Sequence, residues 1–476
     1  MPSIPATTAD WAQGAQLFTG LGDVHRVVTT KSADAQKYFD QGLALLWGFN
    51  HDEATRSFAK AAELDPHCAI CYWGVSLTVG PNYNLPALSE PRAKVAYEAL
   101  GTAQSLAAGA SPVEKALIAA LARRYPDAKP RDPDAALPVL TDYAEAMRQV
   151  AEKYPDDLDV RTLYAESMMN LHAWKLWAPD GSPAPGTREV VAALEYVLAK
   201  DPHHAGANHY YIHALEASRD PGKAEAAADR LGALLPAAGH LVHMPSHIYQ
   251  RIGRYEDAAE ANRRADAADL AYVARTAPPD YYSMYTAHNV QFLSYSAGME
   301  GRRAEAVAAA DRSRAAITDA MLIGMAGSDW YVGEASYSSR VRFGMWNELL
   351  AMPAPDPRLP GLAGGWLYGH GMAEAATGHV TEAKAALADL EKLVAGLPAG
   401  YGAGQNALAD VLAVAIPMVE ARIAGAEKRS DDEIAALRRA VAAEDHLSYD
   451  EPRNWYTPTR HALGAALLAA GHGKLI

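Results

Sequence analysis

A 34-residue period constrains this chain more than any other feature. His209 and His213 in NHYYIHALE recur as His243 and His247 in LVHMPSHIY, each displaced by 34 residues. Pro202 and Pro236 are separated by the same interval, and Ala224 is answered by Ala258. A fixed period in this range is the mark of stacked supersecondary units, because one unit alone cannot bury its apolar face. β-Branched runs are few and alanine is abundant, so the unit is a helical hairpin.

The segment Ala35 to Pro66 gives the unit in full: Tyr38, Gly42 and Leu45 fall on a first helix, Ala54, Phe58 and Ala61 on a second, and Pro66 closes it. The small residues Gly42 and Ala54 allow the two helices to approach. This pattern resembles a tetratricopeptide repeat. Ala205 to Pro236 and Gly239 to about Ala268 repeat the plan, and looser copies follow at Ala287 to Arg314, Gly364 to Leu393 and Thr457 to Gly471. The predicted fold is all-α, a right-handed α-solenoid (TPR superhelix) of about ten helical hairpins. It runs over 35–476 after an N-terminal segment 1–34, with His-rich repeats at 203–300 and C-terminal repeats at 330–476. The phrases GFNHDEATRSFAKAAELDPHCAICYWGVSLTVGPNYN, HYYIHALEAS, GHLVHMPSHIYQRIGRYEDA and AHNVQF together resemble a family of bacterial tetratricopeptide-repeat proteins. That resemblance implies the fold and no particular chemistry.

Composition narrows the class. A chain of 476 residues that is 50% hydrophobic can bury a large core, and helical repeats spread that core along an array, so one elongated domain is expected. A net charge of -14 disfavours nucleic acid and anionic membranes as partners. No apolar run approaches the roughly 20 residues that span a bilayer. The N-terminus lacks a basic start followed by an apolar stretch, which reads as cytoplasmic, or as periplasmic if an export signal was removed. The last repeat reads as incomplete, ending in GHGKLI without a polar capping helix, which leaves a homo-oligomer through that end open.

The histidines carry the chemistry. Seven of 17 lie between His203 and His247. On a helical wheel His209, His213 and Glu216 share one stripe, and His240, His243 and His247 another. Both stripes fall on first helices of their repeats, so adjacent helices about 8–10 Å apart can bring imidazoles to one ion. His288, which opens the next repeat, is a further ligand or an outer partner. Glu216 is a carboxylate ligand or the base that holds an activated water. Imidazole donors suit copper, zinc or iron. A polar structural network, or protonated imidazoles gripping an acidic ligand, are the alternatives. Pro245 between His243 and His247 either bends the helix and re-aims the rings or merely opens a first turn.

Two insertions, Gly80 to Ser89 and Lys175 to Gly186, interrupt repeats between first and second helices and so emerge on one rim. Their Asn82, Tyr83, Asn84, Trp174 and Trp177, with Trp73 and Tyr249, either wall a pocket for a small molecule or peptide or fill gaps between helices. Cys68 and Cys71 are the only cysteines. A C-x-x-C pair is a redox couple, a minor metal site with His51 or His67, or two packing residues. No phosphate-binding loop, serine elbow, H-E-x-x-H or dinucleotide fingerprint is present. The function implied is a metal-dependent oxidoreductase or hydrolase in a helical groove, or a non-catalytic protein-binding scaffold.

Overall fold

Phe58 shows how the repeats pack. In this computed structural model, which describes residues 4–276, 278 and 282–472, its ring fills the notch between two glycines. A Cβ on Gly42 would come within 2.7 Å of the ring and one on Gly74 within 2.5 Å. Three helices therefore close on one fully buried side chain, a burial that contributes about 1.5–3 kcal/mol.

The chain is all-α, and its contacts divide into two compact units, Met1–Gly253 with Arg264–Pro279, and Arg254–Arg263 with Asp280–Ile476. The sequence pointed to one continuous domain. In the first unit a short α1 (Thr8–Ala12) precedes the hairpins α2/α3 (Ala33–Trp47, His51–Leu64), α4/α5 (Ala69–Val79, Glu90–Leu106), α6/α7 (Pro112–Leu121, Pro133–Lys153), α8/α9 (Leu158–Met169, Thr187–Lys200) and α10/α11 (Ala205–Leu215, Glu225–Leu234). Next come α12 (Gly239–His243) and α13 (Pro245–Ile252), which lead through Gly253, a left-handed C-cap, into α14 (Tyr255–Thr276). The second unit holds α15/α16 (Tyr282–Met299, Arg303–Ala316), a short α17 (Asp319–Gly324), α18/α19 (Ser328–Arg342, Trp346–Ala351), α20/α21 (Pro360–Thr377, Val380–Ala395), α22/α23 (Leu408–Ala426, Ser430–His446) and α24 (Thr459–Ala469). The one two-stranded pairing among the described residues, Gly402–Ala403 with Asn406–Ala407, is two residues long.

Side chains set the helix starts. Ser32 and Asn50 accept from the third backbone N–H of α2 and α3, and Ser111 with Glu114 forms a reciprocal capping box at α6. Residues before 35 are part of the first unit: Trp11 is buried, and Arg26 pairs with Asp157 and Asp159 at 2.8 Å. Gly206 places the site, because a Cβ there would meet the Trp47 ring at 2.6 Å. Its absence lets α10 lie against the end of α2. No described helix is long and apolar enough to cross a membrane.

Candidate metal centre

Two first helices carry the imidazoles. His209 and His213 lie one turn apart on α10, and Glu216 is its C-cap residue. His240 and His243 lie on α12, a five-residue helix, and His247 on α13. Pro245 sits in the first turn of α13, where a missing N–H costs nothing. Both sequence readings of Pro245 therefore apply: the helix is divided at Met244, and the proline opens the second piece. The His247 N–H reaches back only to the Met244 carbonyl, 3.1 Å away, a tightened turn that sets the direction of His247 relative to His240 and His243.

All five rings are buried, the most exposed being His240 at 8%. They form one cluster: centroids are 4.8 Å apart for His209–His213, 5.0 Å for His209–His240, 5.9 Å for His213–His247 and 4.7 Å for His243–His247. One nitrogen each from His209, His213 and His240 lies within 4.8 Å of the other two. Ligands at about 2.0–2.1 Å in a tetrahedron stand roughly 3.3 Å apart. His209 Nε2 and His240 Nε2 are already 3.2 Å apart, so closing on an ion needs mainly a shift of His213.

Hydrogen bonds fix the tautomers. His209 Nδ1 is 2.6 Å from the Trp47 carbonyl, which can only accept, so Nδ1 is protonated and Nε2 keeps its lone pair. Glu216 does the same for two rings at once. Its Oε1 lies 2.8 Å from His213 Nδ1 and its Oε2 2.6 Å from His247 Nδ1. The carboxylate thus stands behind the imidazoles, orienting them and raising their basicity, in the way outer partners serve metal-bound histidines. His243 Nε2 is 2.7 Å from His247 Nε2. Because His247 Nε2 holds a lone pair, His243 is the donor there.

Burial dominates the electrostatics. It pushes His209 down to about 3, against a backbone hydrogen bond to Trp47 that raises it. It takes His240 well below the usual range, helped by His209, His243, His213 and His247 around it. A cation requires neutral rings.

Phe49 forms the floor. Its ring lies 4.5 Å from His209 and 5.7 Å from both His213 and His240, and its backbone is left-handed at φ 52°. A bulky residue there is strained, and such strain persists where the surroundings impose it. Nothing marked Phe49 in the sequence except an aromatic between Gly48 and the N-cap Asn50. The two insertions do meet. Tyr83 and Trp174 are 5.4 Å apart, and both rings face His213, at 5.3 and 6.1 Å.

Other expected residues have contacts of their own. Trp177 donates to the Ala214 carbonyl at 2.7 Å, docking its loop on α10. The Tyr249 hydroxyl donates to Asp229 at 2.7 Å. Trp73 is buried on α4. Cys68 and Cys71 are joined as a disulfide at the start of α4, so neither offers a thiolate to a metal with His51 or His67. His288 belongs to the second unit. There the Tyr331 hydroxyl donates to the Glu451 carbonyl at 2.8 Å, so the His288 Nδ1–H donates to the Tyr331 oxygen.

The architecture is a stack of helical hairpins. The chain is similar to the P58(IPK) TPR domain (14% identity, 92% of this chain and 99% of that one, TM-score 0.27). It is also similar to yeast Tom70 (11%, 94% and 90%, 0.30) and to the human IFIT1 dimer with m7Gppp-AAAA (10%, 94% and 89%, 0.33). Superpositions this loose carry no information on what this chain binds. No family model and no curated protein matches it.

Proposed function

We propose that the first unit binds a transition metal ion through His209, His213 and His240, with His243 and His247 completing or flanking the coordination and Glu216 as the positioning carboxylate. The observation that carries this reading is the convergence of buried imidazoles: one nitrogen each from His209, His213 and His240 lies within 4.8 Å of the other two, and acceptors hold the Nδ1 protons of His209 and His213. An all-imidazole set suits zinc, copper or iron. With one coordination position open beside Tyr83 and Trp174, the ion would activate water, dioxygen or a small substrate, making the protein a metal-dependent oxidoreductase or hydrolase. The Cys68–Cys71 disulfide favours an oxidising compartment over the cytoplasm.

The test is metal analysis of protein purified without an affinity histidine tag, repeated on His213→Ala and His247→Ala. Stoichiometric metal, lost in both variants while helicity persists, supports the site. Azide or cyanide shifting the metal spectrum then separates an open ion from a closed one.

A second reading has its own observation. His243–His247 and His209–His240 already pair at 2.7 and 3.2 Å, so the rings satisfy one another without an ion. On that reading the cluster is a polar network tying α10 to α12 and α13 in a protein-binding scaffold. Protein that takes up no metal under any loading condition would favour it.

A further inference from the structure

Beside the imidazoles lies a set of buried polar groups that the metal centre does not use. Arg124, Tyr125, Tyr143, Glu166, Asn170 and Tyr210 are each more than nine-tenths buried. Each keeps one polar atom without a hydrogen-bond partner: the Arg124 Nε, the three phenol oxygens, Glu166 Oε2 and Asn170 Oδ1. Folded proteins leave few such atoms, and a local concentration of them calls for an occupant.

The six groups face one another. The Arg124 guanidinium carbon is 5.7 and 5.5 Å from the Tyr125 and Tyr143 ring centroids, and its electrostatic neighbours are Tyr125, Glu166 and Tyr143. Those of Tyr210 are Glu166 and Tyr143. Arg124 and Glu166 nevertheless make no ion pair with each other. Each is anchored by one edge only, Arg124 Nη2 on the Pro81 carbonyl and Glu166 Oε1 on Asn170 Nδ2 at 2.5 Å. A buried cation and anion held apart, each with an open edge, are costly unless something spans them.

The chemistry of the open edges is directional. Glu166 Oε2 and Asn170 Oδ1 only accept, which suits an ammonium group; Arg124 Nε only donates, which suits a carboxylate, and the phenols serve either end. The cluster adjoins the imidazoles. The Tyr210 ring is 5.2 Å from His209 and 5.5 Å from Phe49, and Pro81, which Arg124 holds, is two residues before Tyr83.

We propose that Arg124 and Glu166 form a recognition subsite for a small α-amino-carboxylate, a free amino acid held as a zwitterion with its carboxylate on Arg124 and its ammonium on Glu166 and Asn170. As the substrate class of the histidine centre, this rests on the metal reading above.

The test uses full-length, tag-free protein, both metal-stripped and metal-loaded. Thermal shift and calorimetry with the proteinogenic amino acids at up to about 10 mM would detect ligand-linked stabilisation. The best binder is then compared with its N-acetyl derivative, its amide and its 2-hydroxy analogue. Stabilisation in either metal state, with each analogue at least about tenfold weaker, is the expected result. Glu166→Gln should fold, bind the amino acid about tenfold more weakly and lose its preference over the 2-hydroxy acid, a change of selectivity that a structural role would not produce. If no amino acid stabilises either form, or if amine-only and carboxylate-only probes bind as well, the groups enclose water and the proposal falls. Amino-acid binding without metal uptake would sink the metal reading alone; metal uptake without amino-acid binding would sink this subsite alone.

Discussion

Both units stack helical hairpins, and both bury polar side chains on first helices, yet they use them in opposite ways. In the second unit two buried acids, Asp329 and Asp450, are spent largely on the backbone. Asp329 accepts from the Gly361 and Leu362 N–H groups at 2.6 and 3.3 Å and from the Tyr401 hydroxyl at 3.0 Å. Asp450 accepts from Gln405 N, Glu451 N and Asn454 Nδ2 at 2.7 to 3.0 Å. These carboxylates staple loops and helix starts. In the first unit the acceptors stand behind the imidazoles, and Nε2 atoms face one another. Burial alone therefore does not mark a site; the direction in which the hydrogen-bonding capacity is left over does.

The largest expected effect breaks the comparison at its centre. His240→Ala removes the ring around which the other four are arranged, and metal affinity should fall at least about 100-fold, read by competition with a chromophoric chelator. Outer partners of metal-bound histidines account for about 10–100-fold, and a ligand should exceed them. Asp450→Asn, which disturbs a buried group of the second unit, should leave affinity unaltered. Equal losses from the two would mean that the metal senses only global stability.

Glu216→Gln tests the orienting role more finely. The amide keeps one acceptor but must present a donor to the second imidazole, so either His213 or His247 loses its fixed tautomer. Affinity should drop about 10–100-fold with helicity intact. A ligating Glu216, as one sequence reading has it, would instead alter the metal spectrum itself.

How much of this was visible in the sequence follows from the physics of each part. The 34-residue period and the Gly42–Phe58 pairing are local patterns, and the hairpins appear where they fall. The stripes of His209, His213 and Glu216 and of His240, His243 and His247 follow from helical geometry, so their convergence could be anticipated. The role of Glu216 could not, because whether a carboxylate ligates or orients depends on a few ångströms across two helices. Phe49 and the Arg124–Glu166 cluster were invisible for the same reason: α6, α7, α8 and α10 meet through tertiary packing that no short spacing encodes. The second unit was read loosely because its repeats depart from the pattern, as at Pro417 inside α22.

Packing offers a third contrast. Gly74→Ala would place a methyl 2.5 Å from ring atoms of Phe58, which Gly42 confines from the other side, so α3 and α4 must part. The expected loss is about 1–3 kcal/mol, measured by denaturant unfolding. Gly298→Ala in the second unit meets the end of the Tyr456 side chain, its hydroxyl at 2.6 Å and its Cζ and Cε1 at 3.2 and 3.3 Å. The smaller loss belongs there, and a reversal would show that the Phe58 notch is softer than the second unit's interior.

The smallest effect is a difference in sign. Burial, together with Arg124 and Arg92, pushes His51 down to about 3 from an ordinary value of 6.5, against a raising hydrogen bond to the Phe49 backbone. Its neutral form is favoured in the folded state, so its contribution is complete above pH 6.5 and fades as pH falls toward 3, by about 1.4 kcal/mol per pH unit. Burial pushes Glu334 up to about 8 from 4.5, with Ser338 and the Tyr456 backbone opposing. Its contribution is complete below pH 4.5 and fades as pH rises toward 8, at a similar slope. In metal-stripped protein, hydrogen exchange should therefore accelerate in α3 on going from pH 6.5 to 5.5, after correction for intrinsic rates. In α18 it should accelerate between pH 6 and 7. Parallel responses in both helices would mean that the two units unfold as one cooperative body, and that their buried groups cannot be separated by titration.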